Sequence, residues 1–426
     1  MEYLLLGMGK SNLSLSKFFE LKKIKYVWYD DNLTYCENIK EVFPYLKDKL
    51  LINSDNKKRI VIKSGGVKNS HTLLKDARMI ISDLEFYYLY NNFNKKITVT
   101  GTNGKTTCVS LVKELVKNIE MGGNIGIPLG DLILSDKDIV IEASSYMLEH
   151  INLYHSKYNV LLNISPNHLD HHGDMDNYIS AKMKLFKNCN NNDYVVYNYD
   201  DSLVKTLVNK LNRIRKVPVS LKSKVNGIYL MNDYVYIYEK PIMHVSEINL
   251  EEVYLLDALA AIMVSYLYGV SIFDIRSRLK NYHKLPYRLE EKVYSDNTVY
   301  NDSKATNINA MYEGLKSIIK KHKNPVTLIC GGMNRNGINI YDELVKLNFD
   351  NLELDKVICF GETRLYFKKF FENKTNVIII DKLKDLKIEE LRKSKLILFS
   401  PGCPSYDEFI NYEKRGELFD EILKKL

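Results

Sequence analysis

The chain has 426 residues, more than the roughly 250–300 that one hydrophobic core supports, so we expect three domains. Its 61 basic and 53 acidic residues give a formal net charge of +8 without a dense arginine cluster, so charge does not distinguish nucleotide substrates from nucleic acid. Six cysteines are scattered without a Cys-x-x-Cys pair, which argues against a disulfide framework and a structural zinc. No basic segment precedes a long apolar stretch at the N-terminus, so we expect a cytoplasmic protein.

The first predicted strand, residues 3–7, leads into a glycine turn and a helix with apolar periodicity. The turn is close to a dinucleotide-binding fingerprint, except that Asn12 occupies the third glycine position. A second strand, 25–29, ends in Asp30, where such folds place an acid near a ribose. We therefore predict that residues 1–93 form a Rossmann-like domain that binds a nucleotide moiety.

A phosphate-binding loop is predicted at residues 101–107, where Gly-Thr-Asn-Gly-Lys-Thr-Thr follows a β-branched strand over 97–100 and opens a helix. This arrangement directs backbone N–H groups and the positive end of a helix dipole at one spot, which suits a polyphosphate. Lys105 would add a positive charge, and Thr106 or Thr107 a hydroxyl for Mg²⁺. The loop predicts ATP or GTP binding without naming the reaction; an ordinary strand-to-helix turn is the alternative.

A carboxylate is predicted beside this loop, because the strand over 138–141 delivers Glu142 at its carboxyl end. Many nucleotide enzymes hold Mg²⁺ through a carboxylate in this position, directly or through water. A solvated glutamate at a strand end is the alternative.

A loop rich in histidine, residues 165–173, follows the strand predicted over 160–164. Histidine and aspartate occur in zinc sites, but neither cysteine nor glutamate joins them here at ligand spacing, and the proline and glycine are typical of a polar loop. We favour one catalytic histidine and two bystanders. In the next helix Lys182, with Lys184 and Lys187, indicates by default a solvated basic face.

An apolar run over 253–270 approaches the length of a membrane span, but it contains Asp257 and reads as a buried helix. We place a domain boundary near residue 285, after which strands and helices alternate again. Polar loops follow three of the later strands, and by the rule for parallel sheets they should share one rim. These loops are 301–307, 331–337 and 400–405.

Seven motifs occur in order along the chain: Thr-Gly-Thr-Asn-Gly-Lys-Thr-Thr (100–107), Gly-Gly-Asn-Ile-Gly (122–126), Glu-Ala-Ser-Ser-Tyr (142–146), Ser-Pro-Asn-His-Leu-Asp-His-His-Gly (165–173), Asn-Tyr-Ile-Ser-Ala-Lys (177–182), Leu-Pro-Tyr-Arg (285–288) and Asn-Asp-Ser-Lys-Ala-Thr-Asn (301–307). Together they resemble the Mur ligases of peptidoglycan synthesis. The C-terminal run at 400–416 resembles the members of that family that add D-glutamate.

The resemblance implies an α/β protein of three domains. These are a Rossmann-like domain for the UDP end of the substrate (1–93), a central P-loop ATPase domain with a mostly parallel sheet (94–285) and a Rossmann-like domain for the incoming amino acid (286–426). The implied reaction is ATP-dependent amide formation between UDP-N-acetylmuramoyl-L-alanine and D-glutamate through an acyl phosphate, with two Mg²⁺ ions. The resemblance also implies a monomer that has neither a nucleic-acid partner nor a membrane span.

Site residues are carried over from the family motifs position by position. The implied catalytic residues are Lys105, Glu142, His168, Lys182 and Lys304. The implied metal ligands are Thr106, Glu142, His168 and, if it is carbamylated, Lys182. The implied ATP-binding residues are Gly101, Thr102, Asn103, Gly104, Lys105, Thr106, Thr107, Asp257, Arg288 and Asp302. The implied substrate-binding residues are Ser11, Asp30, Gly66, Asn124, His168, Thr306, Arg335, Ser405 and Tyr412.

Two departures from the family pattern leave alternatives open. Val253, Tyr254 and Asp257 stand where the family has a His-Asn-x-x-Asn stretch near the adenine, and Arg335 replaces the lysine of a Gly-Gly-x-Asp-Lys motif. One alternative is a catalytically silent homologue that binds UDP-muramyl precursors. Others are a folylpolyglutamate-type ligase, or the muramyl ligase for the third residue, whose Asp-Asn-Pro-Arg motif is absent. The last alternative is a nicotinamide dehydrogenase, which is disfavoured because the phosphate loop would then have no function.

Overall fold

The computed structural model describes residues 2–51, 58–294, 296–322, 324–334 and 339–426. The chain forms two compact units, of which the first comprises Met1–Asn249 and Leu256–Tyr282 and the second Leu250–Leu255 and His283–Leu426. Three mostly parallel sheets carry helices on their faces, so the predicted α/β class is confirmed. The division into three domains at residues 93 and 285 stays a prediction.

The first sheet of the first unit is parallel throughout, with strand order β2-β1-β3-β4. Its strands are β1 (Tyr3–Leu6), β2 (Tyr26–Tyr29), β3 (Ile60–Lys63) and β4 (Met79–Ile81), and its helices are α1 (Lys10–Leu21), α2 (Leu33–Val42) and α3 (Asp83–Tyr90). Buried aromatic rings of α1 and α3 pack against each other, with the Phe19 and Phe86 centroids 4.9 Å apart. The chain crosses from one side of β1 to the other, which opens a crevice at the carboxyl ends of β1, β2 and β3.

The second sheet has nine strands in the order β13-β12-β11-β10-β9-β8-β5-β7-β6, and its β11 to β13 edge is antiparallel. They are β5 (Lys96–Thr100), β6 (Glu120–Gly123), β7 (Ile139–Glu142), β8 (Tyr158–Leu161), β9 (Tyr194–Asn198), β10 (Arg215–Ser220), β11 (Ile228–Met231), β12 (Tyr234–Ile237) and β13 (Lys240–His244). Every residue of β5 is buried between β7 and β8, which accounts for its unbroken β-branched run.

Eight helices of the described residues accompany this sheet. They are α4 (Lys105–Val116), α5 (Leu129–Leu132), α6 (Ser145–Glu149), α7 (Leu169–His172), α8 (Met175–Met183), α9 (Ser202–Asn209), α10 (Leu255–Tyr268) and α11 (Ile272–Lys280). The apolar run over 253–270 forms α10, whose buried residues confirm the predicted core helix. Across the described part of the chain, every helix is too short or too polar to cross a membrane.

The second unit holds a six-stranded sheet in the order β14-β15-β19-β16-β17-β18, parallel except for β14. Its strands are β14 (Glu290–Tyr294), β15 (Asn297–Asn301), β16 (Val326–Gly331), β17 (Leu354–Phe360), β18 (Asn376–Ile379) and β19 (Leu396–Gly402). Its helices are α12 (Ile308–His322), α13 (Ile340–Val345), α14 (Arg364–Phe371), α15 (Glu389–Arg392) and α16 (Tyr412–Leu423). The three predicted rim loops meet, because Gly402 N donates to Ala305 O and Met333 N to Pro404 O, each at 2.9 Å.

Candidate active site

The phosphate loop joins β5 to α4 through two glycines in conformations that other residues rarely adopt. Gly101 has φ +153° and Gly104 has φ +83°. The first-turn amides of a helix have no partner within the helix, and among the described residues no side chain caps the start of α4. The loop therefore has the backbone geometry expected of an anion site.

Replacing Gly104 with alanine is expected to destabilise the first unit. The new side chain would be strained at positive φ, at a cost of about 1–3 kcal/mol, and its Cβ would lie 2.1 Å from Asp257 Oδ1. Gly173 is a matched control, since its φ is +84° and its Cβ would meet nothing within 4 Å. Thermal melting should show a larger loss for Gly104→Ala than for Gly173→Ala; equal losses would mean that the contact with Asp257 is easily relieved.

Two lysines meet at one carbonyl oxygen of the loop. Lys105 Nζ donates to Gly101 O at 3.0 Å and to Thr102 O at 2.7 Å, and Lys182 Nζ reaches the same Gly101 O at 2.8 Å. Lys182 is 1% exposed, so the default interpretation of a solvated face is wrong for this residue. Burial, reinforced by the charge of Lys105 and opposed by Glu142, holds the pKa of Lys182 well below its ordinary value.

Glu142 lies at the end of β7 and is 3% exposed. Its Oε2 accepts a hydrogen bond from Thr106 Oγ1 at 2.7 Å, and its Oε1 accepts one from Asn124 Nδ2 at 2.8 Å. The structure therefore brings together the carboxylate, the loop hydroxyl and the amide that the sequence predicts for the site. Oxygen atoms of carboxylate, hydroxyl and amide groups are the ligands that Mg²⁺ prefers.

The sequence interpretation missed Asn163, which holds the phosphate loop in shape. Its Oδ1 accepts from Asn103 N at 2.8 Å, its Nδ2 donates to Asn103 O at 3.1 Å, and its carbonyl accepts from Thr102 N. Asn163 lies just beyond β8, at the end of the strand predicted over 160–164, so its position at a strand end was the available signal. Tyr178 was also missed. Its hydroxyl forms a hydrogen bond with the Thr102 hydroxyl at 3.0 Å, and its ring contacts the Lys182 ammonium.

His168 precedes α7 with φ +55°, and its Nδ1 lies 2.9 Å from the hydroxyl of Tyr146. The ring of Tyr146 also contacts His171 and His172, with centroids 4.5 and 5.7 Å away. Tyr146 thus orients the loop histidine that the sequence singled out as catalytic. Tyr146 ends the Glu-Ala-Ser-Ser-Tyr motif at 142–146, but the motif alone does not predict this role.

The two histidines predicted to be bystanders share a carboxylate. His171 Nε2 lies 2.8 Å from Glu149 Oε2, and His172 Nδ1 lies 3.9 Å from Glu149 Oε1. Burial lowers the pKa of His172 to about 4, so its imidazole is neutral at neutral pH. Burial alone would raise the pKa of Glu149, but hydrogen bonding by His171 and the charge of His150 lower it to about 2.

The first sheet positions the three residues predicted to surround the UDP group, at the carboxyl ends of adjacent strands. Asp30 Oδ2 accepts from Met8 N at 2.8 Å and fixes the glycine turn. Ser11 lies in the first turn of α1, and Gly66 follows β3 at a position where an added Cβ would meet nothing within 4 Å. Asn12 replaces the third glycine for a structural reason. Its buried amide donates to three carbonyl oxygens, those of Leu6, Gly7 and Ile62.

In the second unit, Lys304 lies over the ring of Tyr412 with its ammonium 4.0 Å from the centroid. Thr306 and Ser405 lie on two of the three loops that meet at this rim, whereas Arg335 falls outside the described residues. Arg415, which the sequence interpretation missed, is fully buried and ties the loops together. It donates to Ser303 O at 2.8 Å and to Cys403 O at 2.9 Å.

The remaining predicted nucleotide residues occupy two separate units. Asp257 is buried in α10 beside Gly104. Asp302 is buried in the second unit, where its oxygens accept from Ser400 Oγ at 2.8 Å and Leu289 N at 3.3 Å. Burial raises the pKa of Asp302 to about 7 against these hydrogen bonds and the charge of Arg288. A contact of any of these residues with ATP stays a prediction.

A family model described as the Mur ligase middle domain matches residues 99–252. The chain is 32% identical to a UDP-N-acetylmuramoylalanine–D-glutamate ligase from Thermoanaerobacter pseudethanolicus, over 99% of this chain and 98% of the relative.

Two solved structures are also similar. A pseudomurein peptide ligase type C from Methanothermus fervidus has a TM-score of 0.61 at 15% identity and covers 99% of each chain. A MurF ligase from Thermotoga maritima in complex with ADP has a TM-score of 0.60 at 17% identity, covering 99% of this chain and 95% of that chain. At these identities the two structures support the fold alone.

Proposed function

The chain belongs to the Mur ligase family, and we propose that within it the protein joins D-glutamate to UDP-N-acetylmuramoyl-L-alanine, with cleavage of ATP to ADP and phosphate. The observation that carries this proposal is the match, over nearly the whole of both sequences, to a ligase named for that reaction. The predicted cytoplasmic location and monomeric state belong to the same proposal.

The reaction requires two anions, the carboxylate of the acceptor and the γ-phosphate of ATP, to be brought together. The carboxylate of the acceptor attacks the γ-phosphorus and ADP leaves; the amine of D-glutamate then attacks the acyl carbon, loses a proton and expels phosphate. Lys105 and the first-turn amides of α4 would stabilise negative charge on the phosphates during the first step. His168, held by Tyr146, would orient the acceptor near the loop.

The residues around Glu142 fit a magnesium ion. The buried carboxylate is held between a hydroxyl and an amide, and Thr106 and Glu142 would be the protein ligands of a first ion. His168 and Lys182, in its carbamylated form, would bind a second. When bound, Mg²⁺ neutralises charge on the phosphates of ATP.

Carbamylation of Lys182 is consistent with its environment. The reaction of an amine with carbon dioxide requires the neutral amine, and the burial that lowers the pKa of Lys182 well below its ordinary value increases the neutral fraction at any given pH. The product is a carboxylate at the end of the side chain, beside a loop that binds Mg²⁺ in our proposal.

The second unit would bind the amino acid. Lys304 supplies a cation at the rim, and Thr306, Ser405 and Tyr412 supply polar groups on the loops that Arg415 holds together. The carboxylates of D-glutamate would pair with such cations.

The proposal is tested by measuring phosphate release from ATP with UDP-N-acetylmuramoyl-L-alanine as acceptor. D-glutamate is compared with L-glutamate, L-lysine and meso-diaminopimelate, and each reaction is repeated without acceptor. We expect release only with D-glutamate and acceptor together. Release with another amino acid would reassign the step, and binding of acceptor without any release would favour the silent homologue.

A further inference from the structure

A group of potential metal ligands lies outside the phosphate-loop site. We call Glu149, His171 and His172 the Glu149 cluster; one ligand atom from each residue lies within 4.8 Å of the others. Glu149 ends α6, and the two histidines end α7. The cluster therefore joins two short helices that are separated in the sequence.

One buried atom of this cluster has no hydrogen-bond partner among the described residues. The His172 side chain is 1% exposed, and its Nδ1 has no hydrogen-bond partner among the described residues. Its Nε2 lies 2.9 Å from Ser145 Oγ. When Nε2 donates to that hydroxyl, Nδ1 presents a lone pair toward Glu149 Oε1, so that two acceptors face each other. Glu149 Oε1 also accepts from Asn69 Nδ2 at 2.7 Å, so a cation between the two atoms would satisfy His172 Nδ1 and take Glu149 Oε1 as a second ligand.

The distances suit a small metal ion. Two ligands that each lie about 2.1 Å from one ion are separated by at most about 4.2 Å, and by about 3.4 Å in a tetrahedral site. Two separations in the cluster bracket the tetrahedral value: 2.8 Å between His171 Nε2 and Glu149 Oε2, and 3.9 Å between His172 Nδ1 and Glu149 Oε1. One ligand atom from each residue lies within 4.8 Å of the others, and a pair at that limit would have to approach by about 1.4 Å to reach the tetrahedral value.

We propose that the Glu149 cluster binds a divalent transition-metal ion, with Zn²⁺ as the occupant. Two imidazoles and one carboxylate form a ligand set typical of zinc and unlike the oxygen-only sets of Mg²⁺. His150 Nε2, also buried without a hydrogen-bond partner among the described residues, lies 3.5 Å from Glu149 Oε2 and offers a fourth ligand. The ion would fasten α7 to α6 and so hold the loop that carries His168.

A nearby positive charge opposes the ion and provides a test. The Lys63 ammonium is buried, has no hydrogen-bond partner among the described residues, and acts electrostatically on Glu149 and His172. Burial lowers the pKa of Lys63 to about 8, so much of it is charged at pH 7. Removing this charge in Lys63→Met is therefore expected to tighten metal binding.

The experiment titrates chelator-treated full-length protein with Co²⁺, whose visible absorption reports a tetrahedral site, and then displaces it with Zn²⁺. Excess Mg²⁺ is present throughout to fill oxygen sites. We expect one Co²⁺ per chain, with binding weakened about tenfold or more in Glu149→Gln and in His171→Gln. His155→Gln is the matched control, because His155 pairs with a different carboxylate, Asp193, at 2.8 Å.

Far-UV circular dichroism and thermal melting establish that each variant is folded. Absence of a tetrahedral Co²⁺ spectrum in the unmodified protein would overturn the proposal. So would binding that persists in Glu149→Gln and His171→Gln but disappears in His168→Ala, because the ion would then lie at the catalytic loop. None of these readouts uses ligase activity, so the result is independent of the proposed function.

Discussion

Replacing Lys105 with alanine is expected to lower ATP-dependent phosphate release by about a hundredfold or more. In the structure the Lys105 ammonium is held by two loop carbonyls, Gly101 O and Thr102 O, at the start of α4. A charge that stabilises the transferring phosphoryl group acts mainly in the transition state, so the loss should appear in kcat more than in KM. Steady-state phosphate release at saturating D-glutamate measures it.

Lys113→Ala is the matched control for this substitution. Lys113 is an exposed lysine on the same helix, and its ammonium donates to the Ile119 carbonyl beyond the helix end. This variant should keep normal kcat and lose at most some stability. Equal kcat in Lys105→Ala and the unmodified protein would remove Lys105 from phosphate chemistry and weaken the ligase proposal as a whole.

The sequence predicted those parts of the site that depend on the pattern of apolar and β-branched residues within one short segment. The strand predicted over 97–100 is β5, Lys96–Thr100, because a continuous β-branched run marks a strand buried on both faces. Glu142 was located because it follows such a run directly. In both cases the residues that decide the structure are neighbours in the sequence.

The parts that the sequence could not predict depend on contacts between distant residues. Asn163 bonds Asn103 across 60 positions, and Arg415 reaches Ser303 across 112. Glu149 joins His171 from a separate helix, so no ligand spacing within the histidine loop could reveal it. Such pairs carry no periodic signal, since a single polar residue has the same local sequence whether it is buried in a network or solvated.

The shared carbonyl of Gly101 brings two lysine ammonium groups into one small region. Lys105 and Lys182 repel each other there, and the repulsion adds to burial in lowering the pKa of Lys182. Conversion of Lys182 to a carbamate would replace this repulsion with attraction. The arrangement of the two lysines therefore favours the modification on electrostatic grounds as well as through the neutral amine.

Replacing Lys182 with alanine is accordingly expected to lower phosphate release by about a hundredfold or more, with partial recovery when acetate or formate is added. The added carboxylate would occupy the space of the lost carbamate, a result that a merely structural lysine would not give. Lys187→Ala, at an exposed position just beyond α8, should behave as the unmodified protein. Unchanged turnover in Lys182→Ala would remove the proposed role.

The activity is expected to depend on pH through the protonation of Lys182. Because burial holds the pKa of Lys182 well below its ordinary value, the neutral amine persists to lower pH than in a solvated lysine and is protonated as the pH falls through that lowered value. Protonation prevents reaction with carbon dioxide, so activity at fixed dissolved carbon dioxide should fall on the acid side and recover when the pH is raised. The Lys182→Ala variant rescued by acetate lacks the lysine amine, so its activity should not show this fall on the acid side. The same fall in activity in both proteins would assign the titration to another residue.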